Sequence, residues 1–158
     1  MAINPNTDFT AGQVLTAAQQ NRFPRGIMAI GTSQTTYTLT TAETIATGMT
    51  ATFTAVANRY YKVTYFEPQA QTSNAAANTT ISLRLTNASG TVLNQSIFTN
   101  ESAANDTSTL ICVKTQTFTA GSITVVGCAK TSSTAGAPVL LRDSVREAQI
   151  IVEDLGPA

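Results

Sequence analysis

From Tyr60 to Phe66, and again from Ile81 to Thr86, the two faces of the chain alternate residue by residue. Tyr61, Val63 and Tyr65 are interleaved with Tyr60, Lys62, Thr64 and Phe66, and Ile81, Leu83 and Leu85 with Ser82, Arg84 and Thr86. A two-residue period puts successive side chains on opposite faces, so each stretch predicts a β-strand with one buried face. Helical periodicity is scarce. Further strands are predicted at Gly26–Thr32, Thr35–Thr40, Thr44–Val56, Thr91–Phe98, Ile111–Thr117, Ile123 onward, Ala137–Leu141 and Ala148–Glu153. Polar turns such as Asn87-Ala88-Ser89-Gly90 separate them. This spacing fits an all-β, antiparallel β-sandwich of jelly-roll-like type rather than alternating βαβ units. Of 158 residues, 29 are Thr and 23 are Ala, which suits thin sandwich faces because β-branched Thr tolerates a half-wet pleat.

The one helix signal lies near the N-terminus. Thr16 is placed to cap Ala17-Ala18-Gln19-Gln20, with Gln19 reaching back as its capping-box partner, and Pro24 and Gly26 end the segment. The chain therefore divides into a short N-terminal arm, 1–26, containing one small helix, and a sandwich, 27–158. The polar stretches Gln69–Asn78 and Thr99–Thr107 are expected to be exposed loops.

Two apolar runs flank Thr119-Ala120-Gly121-Ser122. If they form a hairpin, Ile111, Val113, Thr115 and Thr117 share a face that Ile123 and Val125 continue, and Cys112 falls opposite Cys128. Opposed residues in an antiparallel pair have Cα atoms about 4.5–5.5 Å apart, within disulfide range. The alternative is two reduced, buried cysteines, favoured for a chain folded in a cytoplasm. That compartment is the expectation from Met1–Asp8, which lacks the basic and apolar regions of a secretion signal. Five Asn-x-Ser/Thr triplets, at Asn78, Asn87, Asn94, Asn100 and Asn105, are then turn composition rather than glycosylation sites.

Composition narrows the chemistry. With no His there is no Ser-His-Asp or Cys-His nucleophilic site and no His-ligated metal. Nine basic and nine acidic residues give zero net charge and no electrostatic footprint for nucleic acid. No apolar run is long enough to insert in a membrane as a helix. No Gly-rich phosphate loop occurs, and no cofactor is implied.

The carboxylates are the nearest approach to a catalytic set, since glycoside hydrolysis needs two flanking one sugar. Glu153 and Asp154, adjacent in a strand, point to opposite faces. Arg142, Asp143, Arg146 and Glu147 form a charged segment expected to be a solvated turn, and Glu43, Glu67, Glu101 and Asp106 are isolated. We therefore expect no enzyme. Tyr60 and Phe66 are candidate glycan contacts, with the loops at 69–78 and 99–107. The cluster Asn21-Arg22-Phe23-Pro24-Arg25-Gly26 joins donors, an apolar ring and a stiff turn, and serves either to dock on another protein or as a plain connector.

The stretch Asp8-Phe9-Thr10-Ala11-Gly12-Gln13-Val14-Leu15-Thr16-Ala17-Ala18-Gln19-Gln20-Asn21-Arg22-Phe23-Pro24-Arg25-Gly26 resembles the opening of small accessory virion proteins of tailed bacteriophages. There a "GQ-hydrophobe-LTAA-x-x-N" segment precedes a β-rich body. The stretch from Thr52 to Val63 and the ending Ile151-Val152-Glu153-Asp154-Leu155-Gly156-Pro157 look similar too. The resemblance implies a structural virion protein, a minor tail or fibre-type component or else a capsid decoration or head-fibre protein, with no catalytic residues. It implies other virion proteins as partners and a closed homo-oligomer, a trimer favoured, which would also cover β-edges. Attachment would run through the arm, by Leu15, Asn21, Arg22, Phe23, Pro24 and Arg25. An arm of this length buries too little apolar area to order itself alone. A carbohydrate-binding module recognising a host-surface glycan is the alternative from a different class.

Overall fold

The computed structural model describes residues 11–101 and 104–158. Asp8, Phe9 and Thr10 of the arm, and Met1–Asp8 on which the compartment expectation rests, lie outside the described residues. One helix, α1 (Ala17–Gln20), is followed by β1 (Gly26–Ser33), β2 (Tyr37–Thr38), β3 (Thr44–Ala55), β4 (Arg59–Thr72) and β5 (Asn78–Leu85). After these come β6 (Val92–Thr99), β7 (Asp106–Thr117), β8 (Gly121–Thr131), β9 (Val139–Leu140) and β10 (Ala148–Pro157). The capping box forms: Thr16 Oγ1 accepts from Gln19 N at 3.2 Å, and the Gln19 side chain accepts from Thr16 N at 2.9 Å.

All pairings between the named strands are antiparallel. In the first sheet β4 is central, with β10 and then β1 on one side and β7 on the other. The short strands β9 and β2 extend it beside the C-terminal part of β4. The second sheet runs β3-β8-β5-β6. Ignoring the two-residue strands, β5 to β6 is the one connection that stays within a sheet, and every other connection crosses between sheets. That wiring is a jelly roll. Its open edges meet at two seams. A Cβ on Gly31 of β1 would lie 2.6 Å from the carbonyl oxygens of Gly48 and Thr50 of β3, so the two backbones approach as only Gly permits. At the other seam Asn94 Nδ2 of β6 donates to Val113 O of β7 at 2.7 Å.

Between the sheets lie Tyr61, Val63 and Tyr65 of β4, Ile150 and Val152 of β10, Ile81 and Leu83 of β5, and Val125 of β8, all fully buried. Each aliphatic side chain here contributes roughly 1.5–3 kcal/mol relative to exposure. Phe53, Tyr61 and Phe118 close one end, with Phe53 edge-on to Phe118 at 5.6 Å between centroids.

Four expectations are corrected. First, β7 and β8 are not a hairpin: β7 pairs with β4, and β8 with β3 and β5. Phe118 enters the core at the crossing, and a buried ring there turns the connection into an arch. Second, Leu110 and Cys112 point inward, so Ile111 and Val113 are exposed at 53% and 40% and do not continue the face of buried Val125. Third, the stretch 69–78 is partly strand, β4 running to Thr72, with Ala70, Thr72 and Ala77 buried. In the stretch 99–107, of which 102–103 lie outside the described residues, Asn100 is buried and donates to Thr72 O and Asn74 O, tying the two stretches together. Fourth, the charged segment is not uniformly solvated, because Arg142 is buried against Glu67.

Candidate interaction surfaces

The arm meets the sandwich at the start of β4. Arg59 is 4% exposed and forms a two-point ion pair with Asp154 of β10, Nε to Oδ2 and Nη2 to Oδ1 both at 2.7 Å. Its remaining donors reach the arm backbone: Nη1 to Asn21 O at 2.5 Å and Nη2 to Phe23 O at 2.6 Å. Asp154 Oδ1 also accepts from Gly156 N at 2.8 Å, across the bulge between Asp154 and Gly156. One buried guanidinium thus saturates its fork on a carboxylate and two carbonyls, the geometry for which Arg is suited. The root of the arm is fastened to its own domain, while its side chains face outward. Val14 is 90% exposed, Leu15 41% and Phe23 39%, and Asn21, Arg22, Pro24 and Arg25 are exposed as well. The sequence singles out Asn21 and Phe23, and Arg59 and Asp154 separately, but does not join them, because the four lie far apart along the chain.

A second surface is the outer face of the first sheet. Register aligns Ile30 of β1, Ile151 of β10, Thr64 of β4 and Val113 of β7 in one row, with Gln149, Phe66 and Ile111 in the next row. Ile30, Ile111 and Val113 are exposed and Ile151 and Phe66 half-buried, so apolar side chains face solvent around Thr64 and Gln149. Beyond it Lys62 and Glu153 pair at 2.7 Å, leaving the face electrically neutral. Tyr60 and Phe66 both belong to this face. They are separated along β4 by Lys62 and Thr64 and pair with Thr117 and Ile111 respectively, so they do not make one aromatic platform.

The third surface lies outside the second sheet. Glu43 accepts from Arg84, Nε to Oε1 at 2.8 Å and Nη2 to Oε2 at 2.7 Å, and from the Ser82 hydroxyl. The Arg84 hydrogen bonds, opposed by partial burial, hold the Glu43 carboxyl below the usual range. Lys130 Nζ stands 3.6 Å from Glu43 Oε2. Next to it opens a pocket of about 360 Å³ lined by Thr41, Asn78, Thr80, Lys130, Thr131 and Ser132.

Five of the carboxylates among the described residues are paired with cations. Glu43, Glu67, Asp143, Glu153 and Asp154 are each matched with a base rather than with one another. Among the described residues no three His, Cys, Asp or Glu gather where they could hold a metal ion. Both cysteines are free and buried. Cys112 faces the core, its Sγ 3.5 Å from Ile81 O, whereas Cys128 lies opposite Ser82 on the side of the second sheet that carries Glu43. Burial pushes the Cys112 thiol up to about 12 and the Cys128 thiol up to about 11.

The sheets and seams define an all-β antiparallel jelly-roll sandwich. No family model and no curated protein sequence matches the chain. Among solved structures it is similar to Eiger TNF from S. frugiperda, at 13% identity and TM-score 0.48, covering 85% of this chain and 96% of that one. It is also similar to part of dimeric latent PorU from Porphyromonas gingivalis, at 12% identity and TM-score 0.37, covering 83% of this chain and 13% of that one. A third likeness is to the structure of infectious bursal disease virus, Gt strain, at 14% identity and TM-score 0.28, covering 100% of this chain and 47% of that one. All three scores lie below 0.5, so the architecture rests on the strand order and registers of this chain itself.

Proposed function

We propose that this chain is a non-enzymatic structural protein of a tailed-phage virion, carried on the particle exterior as a minor tail or fibre-type component and attached by its N-terminal arm. The observation that carries the reading is the Arg59 clamp. It spends a buried ion pair on fixing the backbone at Asn21 and Phe23, yet leaves Val14, Leu15 and Phe23 exposed. A connector would need neither the clamp nor the apolar display. A fixed root with apolar side chains turned outward reduces the ordering entropy lost on docking, which is what an attachment segment requires. The resemblance of residues 8–26 to the opening of accessory virion proteins points the same way.

The body supplies the assembly contact. The two seams cover the edges at β1, β3, β6 and β7, leaving only the two-residue β2 at an edge, so a second copy adds through a face rather than by strand pairing. The neutral outer face of the first sheet, with Ile30, Ile151, Val113, Phe66 and Ile111, fits such a copy in a closed homo-oligomer, a trimer favoured. In the test, a chain lacking residues 1–20 is supplied during particle assembly. The truncated protein should fold with its jelly roll intact and fail to incorporate. Incorporation at the full-length level would refute arm attachment.

A further inference from the structure

The pocket beside Glu43 carries a charge that its neighbours leave unspent. Glu43 offers one negative charge, already claimed by the two-point fork of Arg84 and by the Ser82 hydroxyl. Lys130, at 3.6 Å, is beyond the roughly 2.7–2.9 Å of a charge-assisted hydrogen bond, and its side chain is 40% exposed. One carboxylate against two cations leaves a net positive charge on the pocket wall, and Lys130 is the part of it that reaches solvent.

The remaining walls are hydroxyls and an amide. Thr80 stands directly opposite Lys130 across the β5–β8 pair, so the two side chains share a face. Ser132 Oγ accepts from Asn78 N at 2.8 Å and keeps its own hydrogen to donate. Asn78 Oδ1 accepts from Thr99 Oγ1 at 2.7 Å, which leaves the Nδ2 hydrogens uncommitted. Thr41 adds a hydroxyl from the far rim. No aromatic or aliphatic residue lines the cavity, so it has no ring on which a nucleobase could stack and no continuous apolar wall for an acyl chain. Its volume, about 360 Å³, falls within the roughly 300–1,000 Å³ of small-molecule sites and exceeds what a bare carboxylate needs.

We propose that this pocket binds a carboxylate-bearing sugar, with Lys130 taking the carboxylate and Thr41, Asn78, Thr80 and Ser132 exchanging hydrogen bonds with the ring hydroxyls. The site lies on the opposite sheet from Tyr60 and Phe66 and does not depend on the assembly reading. Net charge on one side and paired donors and acceptors on the other select an acidic monosaccharide unit over a neutral one.

The test is a titration of the full chain, amide by amide in nuclear magnetic resonance spectra, with D-glucuronate, D-glucose and acetate. Glucuronate should give saturable shifts confined to Thr41, Asn78, Thr80 and Lys130 to Ser132, with glucose and acetate each at least about tenfold weaker. Lys130→Gln, whose spectrum reports its own folding, should weaken glucuronate by at least about tenfold. Acetate binding as well as glucuronate would reduce the site to a bare anion contact and overturn the proposal. Unsaturable shifts, or glucuronate binding unchanged in Lys130→Gln, would overturn it equally.

Discussion

Arg142 and Glu67 form an ion pair with both side chains fully buried, joining the segment between β9 and β10 to the middle of β4. Arg142 Nε donates to Glu67 Oε2 at 3.0 Å and Nη2 to Oε1, while Nη1 reaches Thr47 O at 2.9 Å. Tyr65 donates its hydroxyl to Glu67 Oε1 at 2.5 Å. Every charged atom has a partner, which is the condition under which two charges tolerate such a site.

Removing one partner should therefore cost far more than any surface charge. Arg142→Ala should lower the unfolding free energy by about 3–5 kcal/mol, because Glu67 would be left charged and unpaired in the core. Arg146→Ala, in a pair that is partly open to water on both sides, should change it by at most about 1 kcal/mol. Urea unfolding followed by fluorescence measures both, and equal losses would contradict the burial.

The arm clamp predicts a local effect as well as a global one. Asp154→Asn removes the charge that orients Arg59, so the carbonyl contacts at Asn21 and Phe23 should loosen. Native-state trypsin cleavage after Arg22 and Arg25 should then accelerate by roughly tenfold or more. Unaltered cleavage would mean that the arm root is held by something other than Arg59.

The thiols set a pH dependence. Each folded thiol titrates above the usual thiol range, at about 12 for Cys112 and about 11 for Cys128. Between pH of about 9 and those values the unfolded chain has lost protons that the folded chain retains, so stability falls as pH rises through that window. Below it the thiols contribute no slope. A Cys112→Ala, Cys128→Ala double variant should show a shallower alkaline loss, read from urea midpoints. At pH 8 the native thiols should also resist a thiolate-trapping reagent that labels both once the chain is unfolded.

The outer face of the first sheet is tested by placing charge on it. Val113→Lys and Ile111→Lys alter side chains already 40% and 53% exposed, so monomer stability should move by about 0.5 kcal/mol or less. Sedimentation velocity should show the unaltered chain as the proposed homo-oligomer and both variants as monomer. An intact oligomer in both variants would place the contact elsewhere.

Much of the fold was legible because it is local. The alternation around Tyr61, Val63 and Tyr65 names the buried face of β4, the Asn87–Gly90 turn names the β5–β6 hairpin, and Thr16 with Gln19 names the cap of α1. What escaped was whatever depends on the crossing of sheets. A short connection after Thr117 suits a hairpin, and only the apolar ring at Phe118, misplaced for an exposed turn, hints at an arch. That single misassignment also turned Ile111 and Val113 to the wrong side. Glu67 and Arg142, or Arg59 and Asp154, become partners only when segments far apart in sequence are laid side by side. An isolated charge in a strand pattern carries no mark of its mate. The pocket at Lys130 is hidden for the same reason, its lining coming from three separate stretches of chain.

The most direct measurement is a cryo-electron microscopy map of tailed-phage particles assembled with this chain. Jelly-roll density should appear on the exterior, with Val14, Leu15 and Phe23 buried against another virion protein and the Arg59 clamp closed. Particles lacking that density, or carrying it with the arm turned to solvent, would contradict attachment by the arm.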